Sequence, residues 1–264
     1  MRPKSQWIEP LARVGYATKG VLYLLLGSLA VAAAVGAGGK VSGSKGVLAT
    51  IAAQPYGPFL LTAVAVGLAA YAAWRAVQMI WDPEGRSGDN KRKVKRAAFA
   101  ISAAIHASLA YTAIDMAWLA GGSGGSSRQS LVAKLMSEAW GQWLVGLAGV
   151  AIGVFALTQL RHVFEAKFMD KFKTSEMNQR QREWVERVGR AGYGARAVVF
   201  SIIAFMVVYA AISTDPSKVK STGGALRELA SQPYGMALLA IVAAGLALYG
   251  VHQFSKARWR SVAV

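Results

Sequence analysis

Six long stretches of the chain carry no Lys, Arg, Asp or Glu, and charge returns abruptly between them. They lie between Lys19 and Lys40, Lys45 and Arg75, Arg96 and Asp115, Glu138 and Arg161, Arg196 and Asp215, and Glu228 and Lys256. A helix needs about 20 apolar residues to cross the hydrocarbon core of a bilayer. Each stretch meets that length and is rich in Leu, Val, Ala, Ile and Gly. None alternates apolar and polar residues as a membrane β-strand would. In lipid the backbone must satisfy its own hydrogen bonds, so the pattern predicts six transmembrane α-helices. The first stretch resembles a signal peptide, with a basic start and Ala-Ala-Ala-Val-Gly-Ala after it. The fifth begins almost identically in mid-chain, so the first is expected to be retained as a helix.

The pattern repeats. The first helix opens with Arg13-Val14-Gly15-Tyr16, then Lys19 and Tyr23. The fifth opens with Arg190-Ala191-Gly192-Tyr193, then Arg196 and Phe200. Trp7-Ile8-Glu9 upstream of the first matches Trp184-Val185-Glu186 upstream of the fifth. The third is more divergent, with Arg96-Ala97-Ala98-Phe99, then Ser102 and His106. The even helices agree: Gln54-Pro55-Tyr56-Gly57 recurs as Gln232-Pro233-Tyr234-Gly235, and Gly67-Leu68 with Tyr71 recurs as Gly245-Leu246 with Tyr249. The middle copy reads Glu138-Ala139-Trp140-Gly141, with Phe155 at the Tyr71 position. An identical four-residue turn at matching places is a specific sign of internal repetition in a chain with seven prolines.

The expected architecture is all-α: a polytopic membrane protein of three tandem two-helix repeats, 1–86, 87–166 and 167–264. Two helices per repeat give every repeat the same orientation, a parallel arrangement with pseudo-threefold symmetry. Gly46 to Ala53 and Gly224 to Ser231 are amphipathic and read as short interfacial helices, each ended by the following Pro. Phe168 to Arg190 reads as a surface helix feeding the fifth span. These repeats, with their R-x-G-Y-type openings and QP-x-G-type turns, resemble the bacterial membrane family catalogued as domain of unknown function twelve-hundred-and-six. The resemblance covers nearly the whole chain. It implies the threefold two-helix repeat and carries no established activity.

Composition agrees with a lipid solvent. Of 264 residues, 54% are hydrophobic and only 16% charged, against about 25% charged in soluble domains. The formal net charge is +17. Most of the 30 Lys and Arg fall on one side of the alternating spans. That side holds Arg2, Lys4, Arg13, Lys19, Arg75, Arg86, the Lys91-Arg92-Lys93 run with Lys95 and Arg96, the basic residues from Arg161 to Arg196, and Lys256, Arg258 and Arg260. The other side keeps Lys40, Lys45, Arg128, Lys134, Lys218, Lys220 and Arg227. The positive-inside rule places the first set, and both termini, in the cytoplasm of a bacterial-type inner membrane. Anionic lipid headgroups are the expected partners of the basic flanks. Nothing points to nucleic acid, and a membrane-protein partner is left open. The chain has no cysteine, which removes disulfides, thiolate metal sites and cysteine nucleophiles.

Candidate chemistry is sparse. Arg13, Arg96 and Arg190 share one repeat position, with Lys19 and Arg196 deeper and Ser102 in the gap. Together they suggest an anion or phosphate-headgroup site; interfacial snorkelling of the same residues is the plainer alternative. His106 falls near mid-bilayer where the other repeats have an aromatic residue, and Ser102 shares its helix face. Asp115 and Glu138 belong to the outer face, with Gln54 and Gln232 matching Glu138, which is placed to pair with an outer lysine. His162 and His252 lack ligand-spaced partners, so no metal or other cofactor is expected. No nucleophile with an orienting carboxylate is visible, so an enzyme is not expected. The reading is an integral membrane protein that binds a lipid or small molecule, or serves as a scaffold. The alternative is a small transporter or channel along the pseudo-threefold axis. The mitochondrial carriers share the two-helix, three-repeat plan, but their P-x-[DE]-x-x-[KR] element is missing here.

Overall fold

The computed structural model describes residues 5–81, 89–119, 128–138 and 140–262. Arg2, Lys4, Arg86 and Ala139, and the side chains of Lys91 and Arg128, lie outside the described residues. Among the described residues, six helices are long and apolar enough to cross a membrane. They are α1 (Ser5–Ala34), α3 (Gly57–Trp81), α4 (Asp89–Trp118), α6 (Gly141–Glu165), α7 (Gln179–Ile212) and α9 (Gly235–Trp259). Three short helices precede the even spans: α2 (Ser44–Ala52), α5 (Arg128–Met136) and α8 (Thr222–Ala230). Each repeat is thus a long helix, a short helix and a second long helix. An even number of spans puts both ends of the chain on one face, termed here the terminal face; α2, α5 and α8 lie on the distal face.

The turn into each even helix is built the same way. The N–H of Gly57, Gly141 and Gly235 donates to the carbonyl three residues back, at Gln54, Glu138 and Gln232, with distances of 2.9, 2.9 and 2.7 Å. Tyr56 and Tyr234 sit in the left-handed region, at φ 61° and 58°, and expose their rings. Trp140, at the same repeat position, is exposed as well. One repeat position thus carries an exposed amphipathic ring three times, the residue type enriched at membrane interfaces.

Packing order differs from chain order. The even helix of each repeat packs on the odd helix of the next: α3 on α4, α6 on α7, and α9 back on α1. Three equivalent ring pairs mark these seams. Tyr71 meets His106 at 4.5 Å between centroids, Phe155 meets Phe200 at 4.9 Å, and Tyr249 meets Tyr23 at 4.8 Å. Within repeats, α1 packs on α3 and α7 on α9. In the second repeat no comparable packing joins the described residues of α4 and α6. The bundle is therefore a ring in the order α4, α3, α1, α9, α7, α6, open between its ends.

The distal half is filled by one apolar core, with Leu22, Leu26, Leu48, Leu61, Leu68, Leu226, Leu239 and Leu246 among its members. On the terminal face Ile8, Ala12, Tyr16, Tyr71 and Trp74 form a second cluster, and Phe168, Phe172, Met177, Val185, Tyr193 and Tyr249 a third. The stretch expected as a surface helix from Phe168 is instead two 3-10 turns, Lys167–Lys171 and Thr174–Glu176. Their apolar side chains turn in under the bundle, which a straight surface helix cannot do. An antiparallel bridge joins Phe172 to Arg260. The helix proper starts at Gln179 behind a capping box, in which Asn178 Oδ1 accepts from Gln181 N at 2.8 Å and Asn178 N donates to Gln181 Oε1 at 3.0 Å.

Candidate functional site

A polar layer separates the distal core from the two clusters at the terminal face. Its centre is four cations: Lys19 on α1, Arg75 on α3, Arg196 on α7 and Lys256 on α9. Lys19, Arg196 and Lys256 are only 8%, 7% and 7% exposed. Tyrosine hydroxyls receive all four. The Tyr71 hydroxyl accepts from Lys19 Nζ at 3.2 Å and from Arg75 Nε at 2.9 Å, and also contacts Arg75 Nη2. The Tyr249 hydroxyl accepts from Arg196 Nη1 at 2.5 Å, and the Tyr193 hydroxyl from Lys256 Nζ at 2.8 Å. Arg75 Nη1 donates to Gln78 Oε1 at 2.8 Å.

Shared rings tie the cations into one cluster. The Tyr71 ring lies 4.7 Å from Lys19 Nζ and 4.9 Å from the Arg75 guanidinium carbon. Tyr23 lies 6.0 Å from Lys19 Nζ and 5.9 Å from the Arg196 guanidinium. Tyr249 lies 4.4 Å from Arg196 and 5.7 Å from Lys256 Nζ. Phe155 and Phe200 complete the surroundings of Arg196, at 5.5 and 5.2 Å. Ring faces attract cations, and a tyrosine oxygen that accepts from a cation keeps its own proton for another acceptor. Among the described residues, no carboxylate forms an ion pair with Lys19, Arg75, Arg196 or Lys256. Buried amides line the same layer. Gln253 is 1% exposed and Gln159 4%. Both amide atoms of Gln253, Gln159 Oε1 and Arg196 Nε have no hydrogen-bond partner among the described residues.

The repeat arithmetic assigns these residues to shared positions. Lys19, Ser102 and Arg196 occupy one; Arg75, Gln159 and Gln253 a second; Gln78, His162 and Lys256 a third. The tyrosines Tyr71 and Tyr249 share a fourth with Phe155. Two glycines set the approach that lets the tyrosines reach. A Cβ on Gly15 would stand 2.6 Å from Tyr71 Cα, and one on Gly192 2.6 Å from Tyr249 Cα.

The residues singled out in the sequence divide into two sets. Lys19 and Arg196 enter the cluster. Arg13, Arg96 and Arg190 stand apart from it. Arg13 pairs with Glu9 at 2.6 Å and donates to the Ala257 and Arg258 carbonyls at 3.2 Å. Arg190 pairs with Glu186 at 2.7 Å. Arg96 donates to the Met79 carbonyl at 2.6 Å. Arg13 and Arg96 thus hold the ends of α9 and α3, and Arg190 an acidic residue of its own helix. His106 is half-buried, its Nδ1 2.7 Å from the Ser102 carbonyl and its ring against Tyr71. Asp115 is half-buried and Glu138 exposed on the distal face, and neither forms an ion pair among the described residues. Asp215, beyond α7, accepts from Ser217 N at 2.9 Å. Hydrogen bonding by Ser217 holds its carboxyl below the usual carboxylate range.

Sequence reasoning missed Arg75, Lys256 and the glutamines. Arg75 and Lys256 sit near span ends, where the positive-inside pattern absorbs them. The available sign was the spacing Tyr71 to Arg75 to Gln78, matched by Tyr249 to Gln253 to Lys256 and Phe155 to Gln159 to His162. Among the described residues, no group of three or more His, Asp or Glu could hold a metal ion.

Comparison with known proteins agrees with the repeat reading. The model of the family described as Domain of Unknown Function (DUF1206) matches three times, at residues 14–82, 97–164 and 191–260. The chain is 38% identical over 250 residues to the uncharacterized protein YxxB of Bacillus subtilis (strain 168), covering 95% of this chain and 90% of that one. No solved structure matches. With one match per two-span repeat and a relative aligned along nearly its whole length, this chain belongs to the DUF1206 family.

Proposed function

We propose that this is a non-enzymatic inner-membrane protein that binds an anionic small molecule or headgroup in the half of the bundle next to its termini. Both termini are assigned to the cytoplasm from the Lys and Arg distribution, and the repeats to a pseudo-threefold axis. The carrying observation is the charge imbalance of the polar layer. Two arginines and two lysines share three tyrosine rings, with no carboxylate among the described residues paired to them. Arginine stays protonated in proteins, and taking a charge out of water costs several kcal/mol even after relaxation. Tyrosine oxygens and ring faces offset part of that cost. An anion offsets the rest, and the unpartnered Arg196 Nε and Gln253 amide offer it donors.

The transport alternative has less to rest on. A path through the bundle would cross the leucine-filled distal core, whereas transporters place polar groups and interrupted helices at the midplane. The test is titration of the purified, delipidated protein with glycerol phosphate, read by calorimetry. Saturable binding that Arg196→Gln weakens at least tenfold, about 1.4 kcal/mol, supports the site. No binding to a protein that retains its fold removes it.

A further inference from the structure

The opening between α4 and α6 has a cause in the sequence. In the first repeat α1 and α3 meet at two glycines: Gly15 faces Tyr71, and Gly67 faces Thr18, whose Oγ1 would lie 1.8 Å from an added Cβ. The third repeat keeps both, with Gly192 against Tyr249 and Gly245 against Ala195. The second repeat has Ala98 opposite Phe155 and Ile101 opposite Ala151 at the same positions. A methyl at Ala98 and a branched chain at Ile101 fill the space that the close approach requires. The seam stays unpacked and its side chains face outward. Leu22 on α1 is 5% exposed, while Ile105, its counterpart on α4, is 50% exposed. Ile101 is 62% exposed and Phe155 40%.

The seam borders the cations. Phe155 lies beside the Arg196 guanidinium, Phe99 lies 5.4 Å from the Arg75 guanidinium, and His106 rests on Tyr71, which holds Lys19 and Arg75. Exposed apolar side chains on α4 and α6, the walls of the seam, thus border buried positive charge. We infer that the seam is the side entrance for one membrane lipid, whose headgroup carries at least two phosphate charges, with acyl chains lying between α4 and α6. This rests on the anion-site reading above.

Charge complementarity selects that occupant. The seam's walls suit acyl chains, and the cations beside them call for negative charge. Two arginines alone ask for two negative charges, which a phosphomonoester or a two-phosphate lipid supplies and a single phosphodiester does not. A second copy of this chain could cover the apolar walls but could not supply the anion, because its carboxylates stand near helix ends and in connecting segments. Arg75 lies six residues before Trp81 at the end of α3, so the headgroup would sit about 9 Å inside the interfacial level at 1.5 Å per residue.

The experiment uses the full chain in nanodiscs with phosphatidic acid bearing a diazirine on one acyl chain, crosslinks being mapped by peptide mass spectrometry. Phosphatidylglycerol with the same diazirine is the singly charged comparison. The expected result is crosslinking concentrated on α4 and α6 around Ile101, Ile105 and Ala151, at least tenfold stronger with phosphatidic acid. Arg196→Gln should lose it. Ile105→Trp, a bulky change at an already exposed position that narrows the seam, should lose it while keeping glycerol phosphate binding. Crosslinks spread evenly around the bundle, or equal for the two lipids, overturn the lipid assignment; intact glycerol phosphate binding in that case leaves the anion site standing. Absence of both overturns the two readings together.

Discussion

Tyr71 and Tyr249 are the residues on which the cluster turns. Their hydroxyls accept from Lys19 and Arg75 and from Arg196. The middle repeat shows the dependence within one chain: where the cation is replaced by Ser102, the tyrosine is replaced by Phe155. Tyr249→Phe should therefore destabilise the ligand-free protein by about 1–3 kcal/mol, the usual cost of stranding a buried donor, as read by thermal unfolding in detergent. Glycerol phosphate should restore part of the loss in the variant, since the anion replaces the missing acceptor. Equal stability of variant and parent would show that Arg196 has another acceptor. How well the site could be read from the chain also depends on individual residues. Lys19 and Arg196 stand out because each interrupts an apolar helix at the same repeat position. Arg75 and Lys256 do not, because a basic residue near a span end satisfies the positive-inside pattern with or without a partner inside. Arg13, Arg96 and Arg190 recur as regularly as any residues here, yet they hold Glu9, Glu186 and helix-end carbonyls. Periodicity locates a position, but partners decide its role.

Between helices, the glycines set which seams close. Gly192→Ala would put a methyl 2.6 Å from the Tyr249 backbone, and overpacking of this kind costs about 1–3 kcal/mol. Gly194→Ala is the control. Its Cβ would meet only Val163 Cγ2 at 3.7 Å, an ordinary contact, so its unfolding midpoint should equal or exceed the parent's, alanine being the better helix former. The two 3-10 turns of the terminal face, a clasp packed on α7 and α9, make a separate prediction. Phe168 is 4% exposed and packs on His162, Tyr193 and His252. Phe168→Ala should cost about 3–5 kcal/mol, as expected for a buried Phe→Ala change, and proteolysis should then cut between Glu165 and Asn178. The six spans and two of the short helices were legible because charge-free length and a following proline are local properties. The clasp was not. Its polar residues suit a surface helix, and only the burial of Phe168, Phe172 and Met177 against α7 and α9 bends the chain into 3-10 turns. The α4–α6 seam was half legible: the missing glycines of the second repeat are visible in the sequence, but their consequence needs the packing partners.

For the whole molecule, six spans fix both termini to one face, and the charge distribution chooses which face that is. Lys173 belongs to the terminal face, where it reaches Glu9 at 3.7 Å and Glu176 at 3.5 Å. Lys40 lies beyond α1 on the distal face, just before α2. The chain has no cysteine, so a single introduced thiol reports position without background. Lys40→Cys should react with an impermeant maleimide in intact spheroplasts, and Lys173→Cys only after the membrane is opened. The reverse pattern would invert the protein and place the cation layer in the outer leaflet half. Labelling of both thiols in intact cells would mean that the spans do not alternate, and the three-repeat arrangement would fail with them. The expected pattern puts the buried cations in the leaflet half facing the cytoplasm. There the lipid proposed for the α4–α6 seam must be available, so the labelling result decides which leaflet's lipids are to be tested first.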